Sequence, residues 1–344
     1  MATLCPFGTH RVVKPAGVMP QAAEKLSSEL PIHDNECLID VQTLNIDAAS
    51  FRQMSEAAGG VPEKIGERIM ETVRARGKQH NPVTGSGGML LGRVKQLGPE
   101  FPDRLGLSVG DEVATLVSLS LTPLHLEAIL AVHRETDQVD VKGHAILFAS
   151  GVAVTLPSDI PRRTALAVLD VAGAPIQTAR LVKPGMTVLV LGMGKAGLLC
   201  LAQARRSLGG TGLLLGVERS EESIAAIRQL GLIDDAAVAD ATQPLQVFHA
   251  AEKLTRGKLC DVVINTANVP GTEMACILCA REGGKVYFFN TAVSFTAAAL
   301  GAEGIGKDVE LLIGNGYANE NAKHALELVR REAGVRGLLE KKYA

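Results

Sequence analysis

The chain has no tryptophan, three tyrosines and eight phenylalanines among its 344 residues. So few rings leave little for the base-stacking platforms that single-stranded nucleic acid requires. Neither sign of charge dominates: 35 Lys and Arg stand against 37 Asp and Glu, a formal −2. The electrostatic footprint of a nucleic-acid binder is therefore absent. No apolar run reaches about 18 residues, and the amino end lacks the charged-then-apolar pattern of a secretory signal. A cytoplasmic protein with no nucleic-acid or membrane partner is expected. Six cysteines are scattered along the chain, with no pattern of a disulfide framework. Cys276 and Cys279 have CxxC spacing, but they fall inside an apparent apolar helix, Glu273–Arg281. A zinc ribbon needs a second such pair, so core packing is the expectation.

What is present centres on Met186–Arg219. A short apolar run, Thr187–Leu191, ends at Gly192-Met193-Gly194-Lys195-Ala196-Gly197; a helical pattern follows, then a second apolar run that stops at Glu218. A GxGxxG is a weak signal alone, but here strand, helix, second strand and acidic end are all in place. Gly192 permits the tight turn, Gly194 lets backbone approach a pyrophosphate, and Gly197 lets helix and strand pack closely. The helix start offers unpaired N–H groups and partial positive charge to phosphates. Glu218 lies about 20 residues beyond the glycines, where a carboxylate holds a ribose 2′-hydroxyl and repels a 2′-phosphate. NAD is expected over NADP, although the Arg219 guanidinium next door is able to pair with a 2′-phosphate.

From Val182 onward strand and helix patterns alternate, with strands at Thr187–Leu191, Leu213–Val217, Ala236–Ala239, Asp261–Thr266, Lys285–Phe289 and Val309–Ile313. This is an α/β pattern, a Rossmann doubly wound parallel sheet whose ligand lies at the carboxyl ends of the strands. Those ends carry Asp240, Thr266, Asn268 and Asn290 as further cofactor-binding candidates; each is equally readable as a polar loop or helix cap. The amino half is different. It has short β-like runs at Cys37–Leu44, Gly92–Gly98, Asp111–Val117 and Val139–Val141, with an amphipathic helix at Pro62–Arg76. Arg162–Leu181 reads as one helix leading into the nucleotide fold, and Asn319–Lys342 as a helical tail. The expected domains are 1–155 and 156–317, with the tail 318–344 returning to the first. Gly301–Lys307 imitates a P-loop, but Asp308 stands where the magnesium-binding hydroxyl belongs and a strand follows instead of a helix.

The stretches LIDVQTLNIDAASF (38–51), GRVKQLGPEF (92–101), LSVGDEVATLV (107–117) and LVKPGMTVLVLGMGKAG (181–197) resemble the medium-chain dehydrogenase/reductase superfamily. That resemblance implies a GroES-like catalytic domain beside the Rossmann domain. Many members use zinc, with a Cys that would fall near Asn45 and a His near Ser86 or Gly87; neither position holds a ligand here. No metal is expected. FGTHRVVKPAGVMPQ (7–21), NPVTGSGGMLLG (81–92), LDVAGAPIQTARLVKPG (169–185) and ALGAEGIGKDVELLIGNGY (299–317) are similar to the L-erythro-3,5-diaminohexanoate dehydrogenase family. This implies NAD-linked oxidative deamination of the diamino acid to 5-amino-3-oxohexanoate, with ammonium released, in anaerobic lysine fermentation. The alternatives are a zinc-independent carbonyl or enoyl (quinone-type) reductase and a non-catalytic nucleotide-binding protein.

Oxidising an amine by hydride loss needs the free amine, so a base must first take a proton from ammonium. Asp47 is the first candidate, beside Asn45 at the expected strand end; the competing reading is a cap on a helix over Ala48–Ala57. His10, in a Gly-Thr-His-Arg turn, is a proton relay or a structural loop residue. Asp170 interrupts an apolar helix and must face a site or pair with something, the substrate ammonium being one choice. Asn45, Thr84, Ser86 and Arg52 are substrate-binding candidates, Arg52 being equally readable as surface charge. The apolar Val309–Ile313 suits a sheet edge through which a homodimer or homotetramer forms.

Overall fold

The computed structural model describes residues 4–81, 85–290 and 292–344. They form two compact units: the described residues through Asp170 with Lys342–Ala344, and Val171–Lys341.

The first unit is built on antiparallel strands. β1 (Val12–Lys14) and β2 (Lys25–Leu26) pair with each other. β3 (Glu36–Asn45) precedes two helices, α1 (Ala48–Ala57) and α2 (Pro62–Arg76). Then come β4 (Met89–Leu97), β5 (Glu112–Thr115), β6 (Leu124–His133), β7 (Gln138–Phe148), β8 (Ala153–Thr155) and α3 (Arg162–Asp170). Six strands form one sheet in the order β6-β7-β3-β4-β5-β8. Alternate side chains of β3, β4 and β7 meet the apolar face of α2 in one core, including Ile39, Leu44, Ile65, Ile69, Leu90 and Val139. The long β6 was not legible in the sequence, because its exposure along Leu124–His133 is mostly partial and its alternation weak.

The second unit runs α4 (Gly173–Leu181), β9 (Thr187–Leu191), α5 (Lys195–Leu208), β10 (Leu213–Glu218), α6 (Glu221–Gln229), β11 (Asp235–Val238), α7 (Pro244–Thr255) and β12 (Cys260–Asn265). It continues with α8 (Glu273–Cys279), β13 (Ala280–Phe288), α9 (Phe295–Gly304), β14 (Val309–Ile313), α10 (Asn321–Arg331) and α11 (Ala333–Tyr343). The sheet is parallel, in the order β11-β10-β9-β12-β13-β14. Counted within the unit this is 3-2-1-4-5-6, the Rossmann order, with its switch point between β9 and β12. Cys276 and Cys279 are wholly buried in α8, and burial pushes both thiols up, so neither is a thiolate. Among the described residues no helix is long and apolar enough to cross a membrane.

Three sequence expectations need correction. Arg162–Leu181 is two helices, not one. Pro175 has no N–H to return to Val171 O, so the chain turns there and Ala174 N bonds Val171 O instead (3.0 Å). The boundary between units falls at this break rather than at 155/156, because the buried run Ala165–Leu169 packs α3 onto β3 and β4. The tail does not return to the first unit as a whole. α10 packs on α4 and α5, with His324 Nε2 3.0 Å from Gln203 Oε1, and only Lys342–Ala344 group with the first unit.

One buried ion cluster ties the amino-terminal arm to the sheet. Glu36 is wholly buried at the start of β3. Arg11 donates to it through Nε (2.9 Å) and Nη2 (2.6 Å), His33 N donates at 2.8 Å, and His10 Nε2 lies 2.8 Å away. Burial opposes ionisation of Glu36, but the bonds from Arg11, His33 and His10 outweigh it and hold its pKa below the ordinary glutamate range. The resulting stabilisation is present above that range and lost as pH falls through the lowered value. Glu36→Gln leaves the buried Arg11 without its counter-charge. The expected loss is about 3 kcal/mol, read as a lower denaturant midpoint at neutral pH; an unchanged midpoint would refute this role.

Candidate functional site

In the second unit the glycine loop has the geometry a dinucleotide requires. Gly192 has φ of 83°, and a Cβ there would meet Ala267 N at 2.7 Å. A Cβ on Gly197 would overlap Gly192 O and lie 2.9 Å from Thr266 Oγ1, so the first turn of α5 packs backbone to backbone against the loop. A Cβ on Gly194 would meet nothing within 4 Å, which leaves open space beside the start of α5. Gly194 caps that helix with no side-chain acceptor, so its first N–H groups are not spent on a cap side chain. Met193 is buried, and its N–H donates to Glu218 Oε2 at 2.7 Å. Glu218 Oε1 accepts from Arg219 N at 2.7 Å. The carboxylate therefore stands at the end of β10 against the phosphate loop, where an adenosine ribose belongs. Lys195 and Ala196 open α5 and are half-buried; Arg219 is exposed.

The remaining cofactor candidates divide. Thr266 is spent on the fold, its hydroxyl donating to Gly192 O at 2.6 Å. Asp240 closes a local turn, Oδ1 accepting from Thr242 N (2.9 Å) and Oγ1 (2.8 Å). Asn268 is half-buried just past the end of β12. Asn290 is buried past β13; its Oδ1 accepts from Ala292 N at 3.0 Å, while its Nδ2 is buried without a hydrogen bond. A buried amide N–H2 left unmade is costly, so Asn290 is suited to a ligand acceptor.

In the first unit a polar cluster gathers where β3 ends. Asn45 is wholly buried, its Oδ1 accepting from Gln138 Nε2 at 3.3 Å and its Nδ2 without a hydrogen bond. Gln138 is held in turn by Arg163 Nη1 (3.2 Å), and Arg163 Nη2 reaches Asp140 Oδ2 (2.6 Å). Asp47 takes the capping role that its place before α1 suggested. Oδ1 caps α1 by accepting from Ser50 N at 3.0 Å, while Oδ2 is buried without a hydrogen bond. Burial first, and then the negative charge of Asp170, raise its pKa; the Ser50 bonds and the nearby Ser86 hydroxyl act the other way but do not cancel the rise. Asp47 and Asp170 are thus electrostatic neighbours, with Ser86 beside them.

The sequence reading missed the residues after α2. Lys78 is wholly buried, and its Nζ donates to Pro20 O (2.8 Å) and Gln21 O (3.1 Å). Burial, with Arg76 nearby, brings its pKa down to about 8. Gln79 Oε1 and His80 Nδ1 are buried without hydrogen bonds. Burial, then the charges of Lys78 and Arg76, lower the His80 pKa and favour neutral imidazole. A lone Lys-Gln-His-Asn run beyond a helix gave no motif to read; its contact with the turn at Ser86 and Gly87 is a product of the fold.

Two candidates are not brought to this cluster. His10 belongs to the Glu36 ion cluster, at the other end of β3 from Asn45, about 30 Å away at ~3.3 Å per residue. His10, His33 and Glu36 carry ligand atoms within 4.8 Å of one another. Arg11 already donates to both Glu36 oxygens, so this group is an ion pair rather than a metal centre. Arg52 is exposed on α1, 4.0 Å from Glu56. Thr84 lies outside the described residues.

Comparison with known proteins decides the family. A family model described as L-erythro-3,5-diaminohexanoate dehydrogenase N-terminal domain matches residues 10–157. Proteins of that name from Acetoanaerobium sticklandii and Fusobacterium nucleatum are each 49% identical over 340 residues, covering 98% of this chain and 99% of theirs. The chain belongs to the L-erythro-3,5-diaminohexanoate dehydrogenase family. It is accordingly an oxidoreductase with a nucleotide cofactor. Solved structures share the fold of this family member at low identity. A Thermotoga maritima alcohol dehydrogenase has TM-score 0.56 at 15% identity, covering 91% of this chain and 85% of its own. A Pseudomonas syringae quinone oxidoreductase has TM-score 0.54 at 19% identity, covering 94% and 86%.

The loop geometry separates folding from binding. Gly194→Val should leave the melting temperature within a few degrees of the parent and weaken dinucleotide binding at least tenfold by calorimetry. Gly197→Val should lower the melting temperature strongly. Equal effects on both readouts would refute the assignment.

Proposed function

We propose that the chain catalyses NAD-dependent oxidative deamination of L-erythro-3,5-diaminohexanoate to 5-amino-3-oxohexanoate, releasing ammonium, in lysine fermentation. The substrate reading is supported by two near-full-length relatives that are L-erythro-3,5-diaminohexanoate dehydrogenases by name. The observation that carries the chemistry is Asp47: a carboxylate with one oxygen fixed by the α1 cap and the other buried near the Ser86 hydroxyl without a close hydrogen bond. Such a group is held rigidly and has an acceptor to offer.

The proposed division of labour follows. The loop Gly192–Gly197 and the start of α5 hold the pyrophosphate, Glu218 the adenosine ribose, and Asn290 a polar group of the cofactor. Glu218 favours NAD because a 2′-phosphate beside its carboxylate is repelled. When bound, the nicotinamide accepts the hydride from C3. Asp47 takes the proton from the C3 ammonium, freeing the lone pair that becomes the C=N bond as hydride leaves. Asp170 adds negative charge that favours the second ammonium of the substrate, and Asn45 offers N–H to a substrate oxygen. Ser86 lies within the same cluster as a second polar contact.

The raised Asp47 pKa fixes the sign of the pH response. Its base form is lost as pH falls through that raised value, so the acid limb of kcat/KM should lie above the ordinary aspartate range. Asp47→Asn should keep NAD affinity, lower turnover by about 10²–10⁴-fold and abolish that limb. Asp170→Asn removes a like charge, so it should move the limb to lower pH. NADH formation measured across pH for the three proteins checks all of this, and an unchanged limb in Asp47→Asn would remove Asp47 as the base.

We also infer a homodimer or homotetramer that forms through β14, the last strand of the parallel sheet. Ile313 at its end is 63% exposed, and Phe295, Leu300 and Ile305 of the preceding α9 segment are exposed as well. An uncovered apolar edge is prone to pair. Ile313→Lys should shift the mass in light scattering toward the monomer; a monomeric parent at micromolar concentration would sink the idea.

A further inference from the structure

Deamination has a second half. Once hydride has left, the iminium must be hydrated and its nitrogen expelled, which requires a group that takes a proton and gives it back. Asp47 holds the proton from the first half, so a second carrier is needed. His80 is suited to that position by three observations. Its Nδ1 is buried without a hydrogen bond, as are Gln79 Oε1, Asn45 Nδ2 and Asp47 Oδ2. Buried polar atoms are nearly always paired, so four such atoms on adjoining segments are four groups left open to a polar ligand. The backbone joins these segments: Asn81 N bonds Ser86 O at 2.8 Å, Gly87 packs flush on Gln79 O, and Gly88 on Asn45 O. His80 is also placed firmly, with Lys78 tied to Pro20 O and Gln21 O and Asn81 Nδ2 donating to Gln53 Oε1 at 3.0 Å.

We propose that His80 is a catalytic residue of the hydrolytic half-reaction, its Nδ1 accepting a proton from the water that adds to the C3 iminium and returning it to the departing nitrogen. The proposal rests on the deaminase reading above. The tautomer protonated on Nε2 presents the required lone pair at Nδ1. The water O–H bond breaks, the O–C3 bond forms, and the C=N π pair moves to nitrogen. Imidazolium then protonates that nitrogen. The C3–N bond breaks with its electron pair, the oxygen lone pair closes the carbonyl, and the hydroxyl proton returns to Nδ1. Ammonia leaves with that proton as ammonium, and His80 ends neutral. The lowered His80 pKa supplies the neutral starting form.

The test is a single-turnover experiment on the full chain with NAD and the diamino acid, following NADH and ammonium separately. In His80→Ala and His80→Asn, NADH should form within threefold of the parent rate. Ammonium release and steady-state turnover should fall about 100-fold or more, and added imidazole should restore His80→Ala. His80→Asn keeps a polar side chain, so it serves if the alanine variant does not fold. NADH and ammonium appearing in step at near-parent turnover would overturn the proposal, as would loss of NADH formation in both folded variants. Asp47→Asn separates the two readings: if it still forms NADH at the parent rate, Asp47 fails as the base while the His80 result stands. If the parent forms no NADH from the diamino acid, the substrate reading is what fails.

Discussion

The first unit depends on a backbone contact that only glycine permits. Gly87 lies flush against Gln79 O and Gly88 against Asn45 O, so a side chain at either place would overlap a carbonyl oxygen. Gly88 also has φ of 83°, which other residues rarely adopt. Three segments meet there: the end of β3, the residues after α2, and the turn at Ser118–Ser120, where Ser118 Oγ accepts from Gly87 N at 3.2 Å. Each segment brings polar groups that are unremarkable in its own stretch of chain. On these adjoining segments Asn45, Asp47, Gln79 and His80 retain buried hydrogen-bonding atoms without partners.

Leaving such atoms unmade costs about 1–3 kcal/mol each, a penalty the surrounding fold has to offset. The offset is visible in strongly satisfied groups elsewhere in the unit. Glu36 and Arg11 make a fully bonded ion pair, Lys78 spends its ammonium on two carbonyls, and Arg163 ties Asp140 to Gln138. The same burial that rigidifies these groups sets the proton affinities of the cluster. It raises Asp47 and lowers His80, shifting the two proton affinities toward each other.

The nucleotide unit solves a different problem with ordinary means. Its sheet order places two strand ends, β9 and β12, at the switch point, and the loop between β9 and α5 opens there. Glu218 both braces that loop through Met193 N and presents negative charge beside it. The carboxylate proposed to choose the cofactor therefore also braces the fold.

Much of this was legible because the determinants are local. The six parallel strands, the glycine loop and Glu218 follow from short apolar runs, turn residues and a fixed spacing, and neighbours in sequence remain neighbours in space. The helical cap role of Asp47 is local in the same way. The break at Pro175 was also readable from a missing N–H, but the apolar run across it concealed the signal. His10 illustrates the opposite case: a histidine in a suggestive turn whose partner, Glu36, lies 26 residues further on. His80 carries no motif, and its relation to Asp47 exists only once Gly87 and Gly88 close against Gln79 and Asn45. The sequence by itself determined the Rossmann-order sheet and the acidic residue that ends β10, since periodicity and spacing suffice for these. Tertiary structure alone decided which polar residues keep unpaired atoms, because burial and long-range backbone contact determine which hydrogen bonds are left unmade.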